Sequence, residues 1–267
     1  MAIRRGAPGT GAANRDVAVD HRGIDATIVE PRGPGLASAI ALRFGRRRPV
    51  WAYAAATLAG WALLAVALSL LGLLLTKVLL DPGSIADADE WLPRRLAEER
   101  RPWLTDASYV GSLIGDVPVL PGLVVLTLVA SAALRRLRIG VFIATAIVME
   151  LSLYRLGALV APRDRPTVPR LDDLPVDESF PSGHVAASTV VYVGLALVIS
   201  SWARRRWVTA VVWTVAVLAV LTVATSRMYR GMHHPLDTVS GLLLGAGCLL
   251  VALVAVRAYG HAERRRP

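Results

Sequence analysis

Cysteine is almost absent from this chain of 267 residues: Cys248 is the only one, and it lies inside an apolar run. An intramolecular disulfide is therefore excluded, and we expect Cys248 to act as a small buried apolar side chain. No cluster of Cys, Asp or Glu has the spacing of a metal site, so we expect no metal and no other cofactor. No repeat with a period of about 20 to 50 residues is present, and we predict a single membrane domain after an N-terminal tail.

Apolar residues, by contrast, are in excess. They make up 54% of the chain, and the mean hydropathy is +0.50, whereas a soluble domain is about 45–50% apolar. A helix needs roughly 20 apolar residues to cross a bilayer. Six runs reach or approach that length: 51–80, 117–134, 139–160, 185–203, 207–225 and 237–256. Pro118 and Pro121 interrupt the start of the second run, which is the weakest. We predict an all-α, polytopic membrane protein with six transmembrane helices.

The net charge of +10 would suggest a nucleic-acid partner for a soluble protein, but the distribution of charge argues against one. With six spans, one side of the membrane carries 19 arginines and 5 acidic residues. The other side, made of segments 81–106, 161–181 and 226–236, carries 9 arginines and 12 acidic residues. The positive-inside rule places both termini in the cytoplasm. We therefore predict a multi-pass protein of the cell membrane, whose partner is the bilayer and not nucleic acid.

The ends of the chain differ from its apolar centre. Residues 1–49 are rich in Gly, Arg, Asp and Ala without apolar periodicity, so we predict a disordered, basic cytoplasmic tail. This tail is too long and too polar for a cleaved signal peptide, and the first run is expected to remain as an anchor. The membrane domain is predicted over residues 50–257, and a short basic cytoplasmic tail over residues 258–267.

The segment 81–106 is the longest predicted external connection. Pro93 is expected to open a short helix that runs to about Arg101, because proline suits the first helical position. The segment either lies on the membrane surface, with Trp91 and Trp103 among its anchors, or is an ordinary solvated loop.

A first polar cluster, Pro181-Ser182-Gly183-His184, immediately precedes an apolar run. Ser182 and Gly183 should lie near a helix start, where unpaired N–H groups and the helix dipole favour a bound anion. Gly183 also allows the backbone to approach a phosphate closely. The alternative is a simple Ser N-cap followed by a chance histidine.

A second cluster ends the fifth run and opens the sixth: Ser226-Arg227, then His233, then Asp237. Pro235 suits the first turn of the sixth helix, which places Asp237 in that turn. A carboxylate near an imidazole holds one ring nitrogen as a donor and leaves the other as a nucleophile. From the residues alone, His233 and its neighbour His234 are hard to separate in this role.

A third cluster, Arg163-Asp164-Arg165-Pro166, lies in the proline-rich loop between the third and fourth runs. Guanidinium groups bind phosphate oxygens in a bidentate geometry. Arginine beside a membrane domain is usually a topology signal, but Arg163 and Arg165 lie on the acidic side, where topology does not call for them. Together the three clusters indicate phosphate-ester chemistry on the outer face.

These clusters resemble the signature of the phosphatidic acid phosphatase type 2 superfamily, which consists of a lysine, six residues and Arg-Pro, then Pro-Ser-Gly-His, then Ser-Arg, five residues, His, three residues and Asp. The second and third parts match without a gap, and Arg165-Pro166 matches the end of the first. The motifs lie within residues 155–237, and the resemblance covers about residues 105–257. It implies a helical membrane bundle of the kind shared with haloperoxidases.

The resemblance also implies a role for each residue. His233 would attack phosphorus and form a phosphohistidine, Asp237 would orient it, and His184 would be the general acid. Arg165, Arg227, Ser182 and the amide of Gly183 would hold the phosphate oxygens without a metal. The family's lysine falls at Ala158, which cannot bind phosphate; Arg155 and Arg163 are the candidates to replace it. Arg155 lies in the outer half of a run near Glu150, and charges inside membranes are functional candidates.

The function implied is that of an integral membrane lipid phosphatase, a hydrolase acting on a phosphate ester or diphosphate of a bacterial membrane lipid on the extracytoplasmic face. By analogy with the family, polyprenyl diphosphate (undecaprenyl type) is favoured over phosphatidate, phosphatidylglycerophosphate and a polyprenyl-phosphoribose phosphate. Two alternatives stay open: a phosphotransferase that uses a lipid phosphate donor, and a non-catalytic transporter or scaffold. The sequence does not determine the oligomeric state.

Overall fold

The computed structural model describes residues 28–80, 84–116, 118–173 and 178–265, and every regular element in these ranges is helical. The helices are α1 (Leu36–Phe44), α2 (Pro49–Leu74), α3 (Ser84–Glu98), α4 (Pro102–Leu113), α5 (Val119–Ala133), α6 (Leu137–Val160), α7 (Gly183–Ser188), α8 (Gly194–Trp202), α9 (Arg206–Tyr229) and α10 (Pro235–Glu263). Two π-helical turns, Leu75–Leu79 and Thr189–Val193, extend α2 and join α7 to α8.

Among the described residues, five helices are long and apolar enough to cross a bilayer, and they occupy five of the six predicted runs: Pro49–Leu79, Leu137–Val160, Gly183–Trp202, Arg206–Tyr229 and Pro235–Glu263. The run predicted over residues 117–134 forms α5, which has only 15 residues. Pro118 lies just before α5 and Pro121 in its first turn, where a missing N–H is tolerated. The all-α polytopic fold is confirmed, with one apolar helix shorter than predicted.

The C-terminal ends of α2 and α6 and the N-terminal ends of α7 and α10 meet at one end of the bundle, which we call the rim. Gly72 near the end of α2 packs against Phe180, and Gly157 near the end of α6 packs against Pro181. The first residues of α7 in turn contact the first turn of α10, where the Ser182 N–H donates to the Asp237 carbonyl at 3.0 Å. This shared rim carries all three polar clusters.

Two glycines of α10 bring α7 unusually close. A Cβ on Gly241 would lie 2.4 Å from the Ser182 carbonyl oxygen, and a Cβ on Gly245 would lie 2.6 Å from the Ala186 carbonyl oxygen. Real Cβ atoms do not approach oxygen so closely, so any larger residue would force the two helices apart. The glycines therefore fix the distance between the α7 start and the α10 start.

The opposite end of the bundle is closed by the residues before α2. Ala41 of α1 packs with Ala52 and with Ala258 and Ala262 of α10. Arg138, in the first turn of α6, forms ion pairs with Glu30 and Glu263. These contacts tie the N-terminal segment to the end of α10.

The N-terminal tail therefore differs from the disordered segment predicted over residues 1–49. From residue 28 onward the segment is folded, with Val29 only 1% exposed; residues 1–27 lie outside the described residues. The sequence pattern did not indicate this folded part because few apolar side chains are buried here, and ion pairs with residues distant in sequence supply part of the contact. At the other terminus α10 continues to Glu263, so the predicted tail is helical over its first residues.

The segment between α2 and α5 is also more ordered than predicted. Pro93 lies inside α3 and does not open a helix, and Pro102 opens α4. The earlier start of α3 brings Asp89 and Glu90 inward, while Trp91 and Trp103 remain 62% and 66% exposed. Polar contacts of the buried face decide the extent of α3, and sequence periodicity does not reveal them.

Candidate active site

His233 lies in the short connection between α9 and α10 and is 3% exposed. Its Nδ1 donates to the backbone carbonyl of Ser179 at 2.8 Å. Because a carbonyl only accepts, Nδ1 carries the ring proton and Nε2 keeps its lone pair. Burial holds the pKa of His233 well below the usual 6.5, and the charges of Arg227 and Arg165 act in the same direction against that of Asp237. A neutral imidazole with a free Nε2 is the form required of a nucleophile.

Asp237, in the first turn of α10, is fully buried and accepts several hydrogen bonds. Its Oδ2 accepts from the Ser179 hydroxyl at 2.5 Å and from the His234 backbone N–H at 2.8 Å. Its Oδ1 pairs with Arg163 at 2.6 Å. The predicted direct contact with the His233 ring is replaced by an indirect one, since Asp237 binds the side chain of Ser179 and the carbonyl of Ser179 binds the imidazole.

His234, the predicted competitor of His233, lies between two carboxylates. Its Nδ1 is 3.0 Å from Asp237 Oδ2, and its Nε2 is 2.9 Å from Glu90 Oε2. Glu90 also accepts from the backbone N–H and the hydroxyl of Thr167. Both ring nitrogens of His234 are thus engaged with acceptor groups.

Arg227, near the end of α9, is 1% exposed and presents two different edges. Its Nη1 donates to Ser112 Oγ and to Asp172 Oδ2, both at 2.9 Å. Its Nε and Nη2 are buried and find no hydrogen-bond partner among the described residues. Arg165 is also buried, and its Nη1 donates to the Met232 carbonyl at 2.6 Å. A buried guanidinium with an open edge is an anion site.

Ser182, Gly183 and His184 open α7 as predicted, with Ser182 in the N-cap position. The Ser182 hydroxyl and His184 Nε2 are both buried without a hydrogen-bond partner in the described part of the chain. His184 Nε2 is 3.6 Å from Asp116 Oδ1, which is beyond hydrogen-bond distance. A Cβ on Gly183 would lie 3.1 Å from the ring of Tyr154, so glycine permits this close packing.

Neither candidate replacement for the family's lysine has an open edge in the cluster. Arg163 uses one terminal nitrogen for Asp237 and the other for Asp89, at 2.6 and 2.5 Å. It therefore braces the α10 start. Arg155 is exposed on α6 and forms no hydrogen bond or ion pair within the described ranges. Ala158 is buried by packing.

Several site residues escaped the sequence analysis, notably Asp89, Asp172, Ser179 and Arg230. Asp89 pairs with Arg163 and accepts from the Leu236 backbone N–H at 2.9 Å, which caps α10. One feature of the sequence could have pointed to these residues: segments 81–106 and 161–181 contain an excess of acidic residues, which the positive-inside rule does not require. Composition could show that excess, but it could not identify which acids turn inward.

A cavity of about 430 Å³ begins at Gly183 and His184 and runs between α5, α6 and α7. Its walls are almost entirely apolar and include Leu120 and Val124 of α5, Ile147 of α6 and Ala187 of α7. Glu150 lines it from α6, and its Oε2 is buried without a partner in the described structure. The described residues contain no group of three or more His, Cys, Asp or Glu that would hold a metal.

This geometry defines a helical membrane protein with a buried, cationic anion pocket at one rim, and comparisons with known proteins give its family. The PAP2 superfamily model matches residues 89–260. The chain belongs to the PAP2 superfamily, which confirms the resemblance found in the sequence.

Individual relatives agree with this assignment. The chain is 37% identical over 168 residues to "Putative undecaprenyl-diphosphatase YbjG" of Escherichia coli, covering 60% of this chain and 77% of that protein. It is 29% identical over 117 residues to an undecaprenyl-diphosphatase of Sulfolobus acidocaldarius, covering 42% and 52%. Among solved structures, a PAP2-type phosphatidylglycerolphosphate phosphatase from Bacillus subtilis shares the fold, with a TM-score of 0.59, 22% identity, and coverage of 76% of this chain and 97% of that one.

Proposed function

We propose that this protein hydrolyses the phosphate ester or diphosphate of a membrane lipid, with polyprenyl diphosphate as the favoured substrate, through a phosphohistidine at His233. One observation carries the proposal. Four polar atoms of the residues at this rim are buried without partners among the described residues: Nε and Nη2 of Arg227, Oγ of Ser182 and Nε2 of His184. Buried polar atoms are rarely left unsatisfied, and a phosphoryl group would satisfy all four.

In the first step, His233 Nε2 attacks phosphorus, an N–P bond forms and the P–O bond to the leaving group breaks. His184 donates its proton to the departing oxygen as general acid. Arg227, Arg165, the Ser182 hydroxyl and the Gly183 amide hold the equatorial oxygens as charge builds. One such preorganised donor is worth about 3–4 kcal/mol. In the second step, water gives a proton to His184 and attacks phosphorus, and the N–P bond breaks.

His233 is favoured over His234 as the nucleophile by the surroundings of the two rings. His234 has a carboxylate oxygen at each nitrogen, so neither of its nitrogens is open to a substrate. His233 has only one nitrogen engaged. Asp237 acts on His233 through Ser179, and Arg163 and Asp89 hold Asp237 in turn.

The lipid nature of the substrate is supported by the cavity that leaves the pocket beside His184. The leaving oxygen must face the general acid. In a polyprenyl diphosphate that oxygen carries the second phosphate, and the hydrocarbon chain beyond this phosphate would continue into the apolar cavity between α5, α6 and α7. The names of the relatives favour an undecaprenyl diphosphate over other lipids. The arginine distribution supports a site on the extracytoplasmic face.

The nucleophile is tested by phosphate release from a panel of polyprenyl diphosphates and glycerolipid phosphates in detergent. His233→Ala should abolish release, while His261→Ala, a histidine at the far end of α10, should retain it. Trapping of acid-labile phosphate on the wild type but not on His233→Ala would show the intermediate. Equal release by His233→Ala and the wild type would refute the assignment.

The cavity is tested by filling it. Ala187 lies on the cavity wall one turn beyond His184. Ala187→Trp should lower kcat/KM for lipid substrates by about tenfold or more while sparing a short water-soluble phosphate ester, because overpacking blocks only the chain. Equal loss for both substrates would mean that the chain lies elsewhere.

A further inference from the structure

Asp172, in the loop between α6 and α7, joins two buried arginines. Its Oδ2 lies 2.9 Å from Arg227 Nη1, and its Oδ1 lies 2.5 Å from Arg230 Nη2. The Arg230 Nε also donates to Asp172 Oδ2 at 2.8 Å. Burial acts to raise the pKa of Asp172, but the hydrogen bonds from Arg230 and the charge of Arg227 outweigh it and hold that pKa below its usual value. The two arginines thus favour the ionised form of Asp172.

Arg230 is fully engaged inside the protein. Besides Asp172 it donates to Ser108 Oγ at 3.1 Å and to the Leu171 carbonyl at 3.0 Å. It therefore holds Asp172 in position, and it has no edge to turn toward a substrate.

Asp172 does not occupy the unpartnered edge of Arg227. It binds Nη1, whereas the unpartnered Nε and Nη2 form the side-on edge of the same guanidinium. An anion bound on that edge would share Arg227 with Asp172. Two negative groups would then lie on opposite sides of one guanidinium group and repel each other.

We propose that Asp172 is the counter-ion that limits the affinity of this pocket for phosphate, so that the hydrolysed phosphate can leave. The inference rests on the proposed function. A phosphate group carries roughly −1.5 to −2 charges at neutral pH, and buried arginines without a counter-ion would retain it. Asp172 offsets part of their charge, and Arg230 keeps it there.

A different role would be purely mechanical, with Asp172 holding the guanidinium of Arg227 in place. The two roles predict opposite signs. If Asp172 only positions Arg227, its loss should weaken phosphate binding; if it is a counter-ion, its loss should strengthen binding.

The test is the affinity for inorganic phosphate, measured by calorimetry and by phosphate-dependent thermal stabilisation of the full chain in detergent. Asp172→Asn should bind phosphate roughly tenfold more tightly than the wild type, since a charge next to the pocket is removed at low local dielectric. Asp173→Asn is the matched control: it makes the same charge change at the next residue, whose side chain is exposed, and should shift affinity by less than about twofold because solvent screens it. Asp172→Glu keeps the charge and should keep weak binding.

A second variant protects the test against misfolding. Asp172→Asn combined with Arg230→Gln removes the ion pair without leaving a buried charge unpaired, and should bind phosphate within about threefold of the wild type because the net charge is unchanged. Unchanged or weaker phosphate binding by Asp172→Asn overturns the inference, as does a tenfold change in the double variant or an absence of phosphate binding by the wild type. Failure of the proposed function gives a different result: phosphate binds, but no lipid phosphate is hydrolysed.

Discussion

Ser179→Ala tests the indirect link between Asp237 and the nucleophile. The Ser179 hydroxyl donates to the Asp237 carboxylate, and the Ser179 carbonyl accepts from the His233 ring. The substitution removes the hydrogen bond to Asp237 and keeps the backbone carbonyl that accepts from His233. A hydrogen bond to a charged group contributes about 1.5–3 kcal/mol, which corresponds to about a tenfold to 150-fold rate effect if it is fully expressed in the transition state.

Only part of that energy should be lost, because a second contact holds the same backbone. The Ser179 N–H donates to the Arg163 carbonyl at 2.7 Å, which keeps the Ser179 carbonyl near the imidazole. We therefore expect kcat to fall by about tenfold with little change in KM, since the proposed role of Ser179 is to orient the nucleophile and not to bind the substrate. Ser200→Ala should leave kcat unchanged. Ser200 is a half-buried serine near the end of α8, and its hydroxyl has no partner in the described structure.

The assay is steady-state phosphate release by Ser179→Ala, Asp237→Asn and the double variant. If Asp237 acts through Ser179, the two losses should be strongly non-additive, because the double variant removes one pathway and not two. Full additivity, or a Ser179→Ala enzyme as fast as the wild type, would refute the indirect link and restore a direct contact between Asp237 and His233.

Three further predictions concern the same rim. Because the pKa of His233 lies well below 6.5, the ring stays neutral as pH falls through 6.5. After correction for substrate ionisation, the acid limb of kcat/KM should therefore lie below pH 6.5; a limb at or above 6.5 would contradict this. Gly241→Ala should lower the unfolding free energy by about 2 kcal/mol through overpacking against α7, measured by thermal melting, while Gly122→Ala, whose Cβ would meet nothing within 4 Å, should not destabilise. Asp89→Asn should lower the unfolding free energy by about 3 kcal/mol, because Arg163 loses one of its two carboxylate partners, and it should slow turnover. Asp87→Asn, on the exposed face of α3, should change neither quantity. Equal effects of the two variants would contradict a specific role for the Asp89–Arg163 contact.

The sequence could predict those parts of the site that depend only on residues close together in the chain. Ser182, Gly183 and His184 lie at a helix start because an apolar run follows them, and Pro235 places Asp237 in the first turn of α10. Spacing along one helix is a local property, so these predictions needed no tertiary information.

The remaining contacts come from residues far apart in sequence. Asp89 and Asp237 are joined through Arg163, and the partners of Arg227 come from α4 and from the loop at residue 172. A formal charge does not reveal whether its side chain turns to solvent or inward, so Arg163 was expected at the phosphate but binds two carboxylates. The same limit concealed the folded segment before α2, which is held by ion pairs to Arg138.

Substitution of Glu150 can distinguish polyprenyl from glycerolipid substrates. It is 1% exposed on α6, its Oε2 has no partner in the described structure, and it lines the apolar cavity that begins at His184. Burying a carboxyl group without a partner costs stability, so the group needs a reason to be retained. Beyond its two phosphates a polyprenyl chain has no polar atom to offer it, whereas the ester carbonyls of a glycerolipid lie just below the phosphate and would accept a hydrogen bond from a carboxyl O–H.

The proposed polyprenyl substrate therefore makes a definite prediction for Glu150→Leu. The variant should melt at a higher temperature than the wild type, and kcat/KM for polyprenyl diphosphate should stay within about threefold, because a hydrocarbon chain loses no hydrogen bond. Glu150→Gln, which keeps the shape and a polar group, is the matched comparison. A tenfold loss with Leu that Gln restores would mean that the cavity binds polar groups such as ester carbonyls in the lipid tail region, and the glycerolipid phosphates would then replace polyprenyl diphosphate as the favoured substrate.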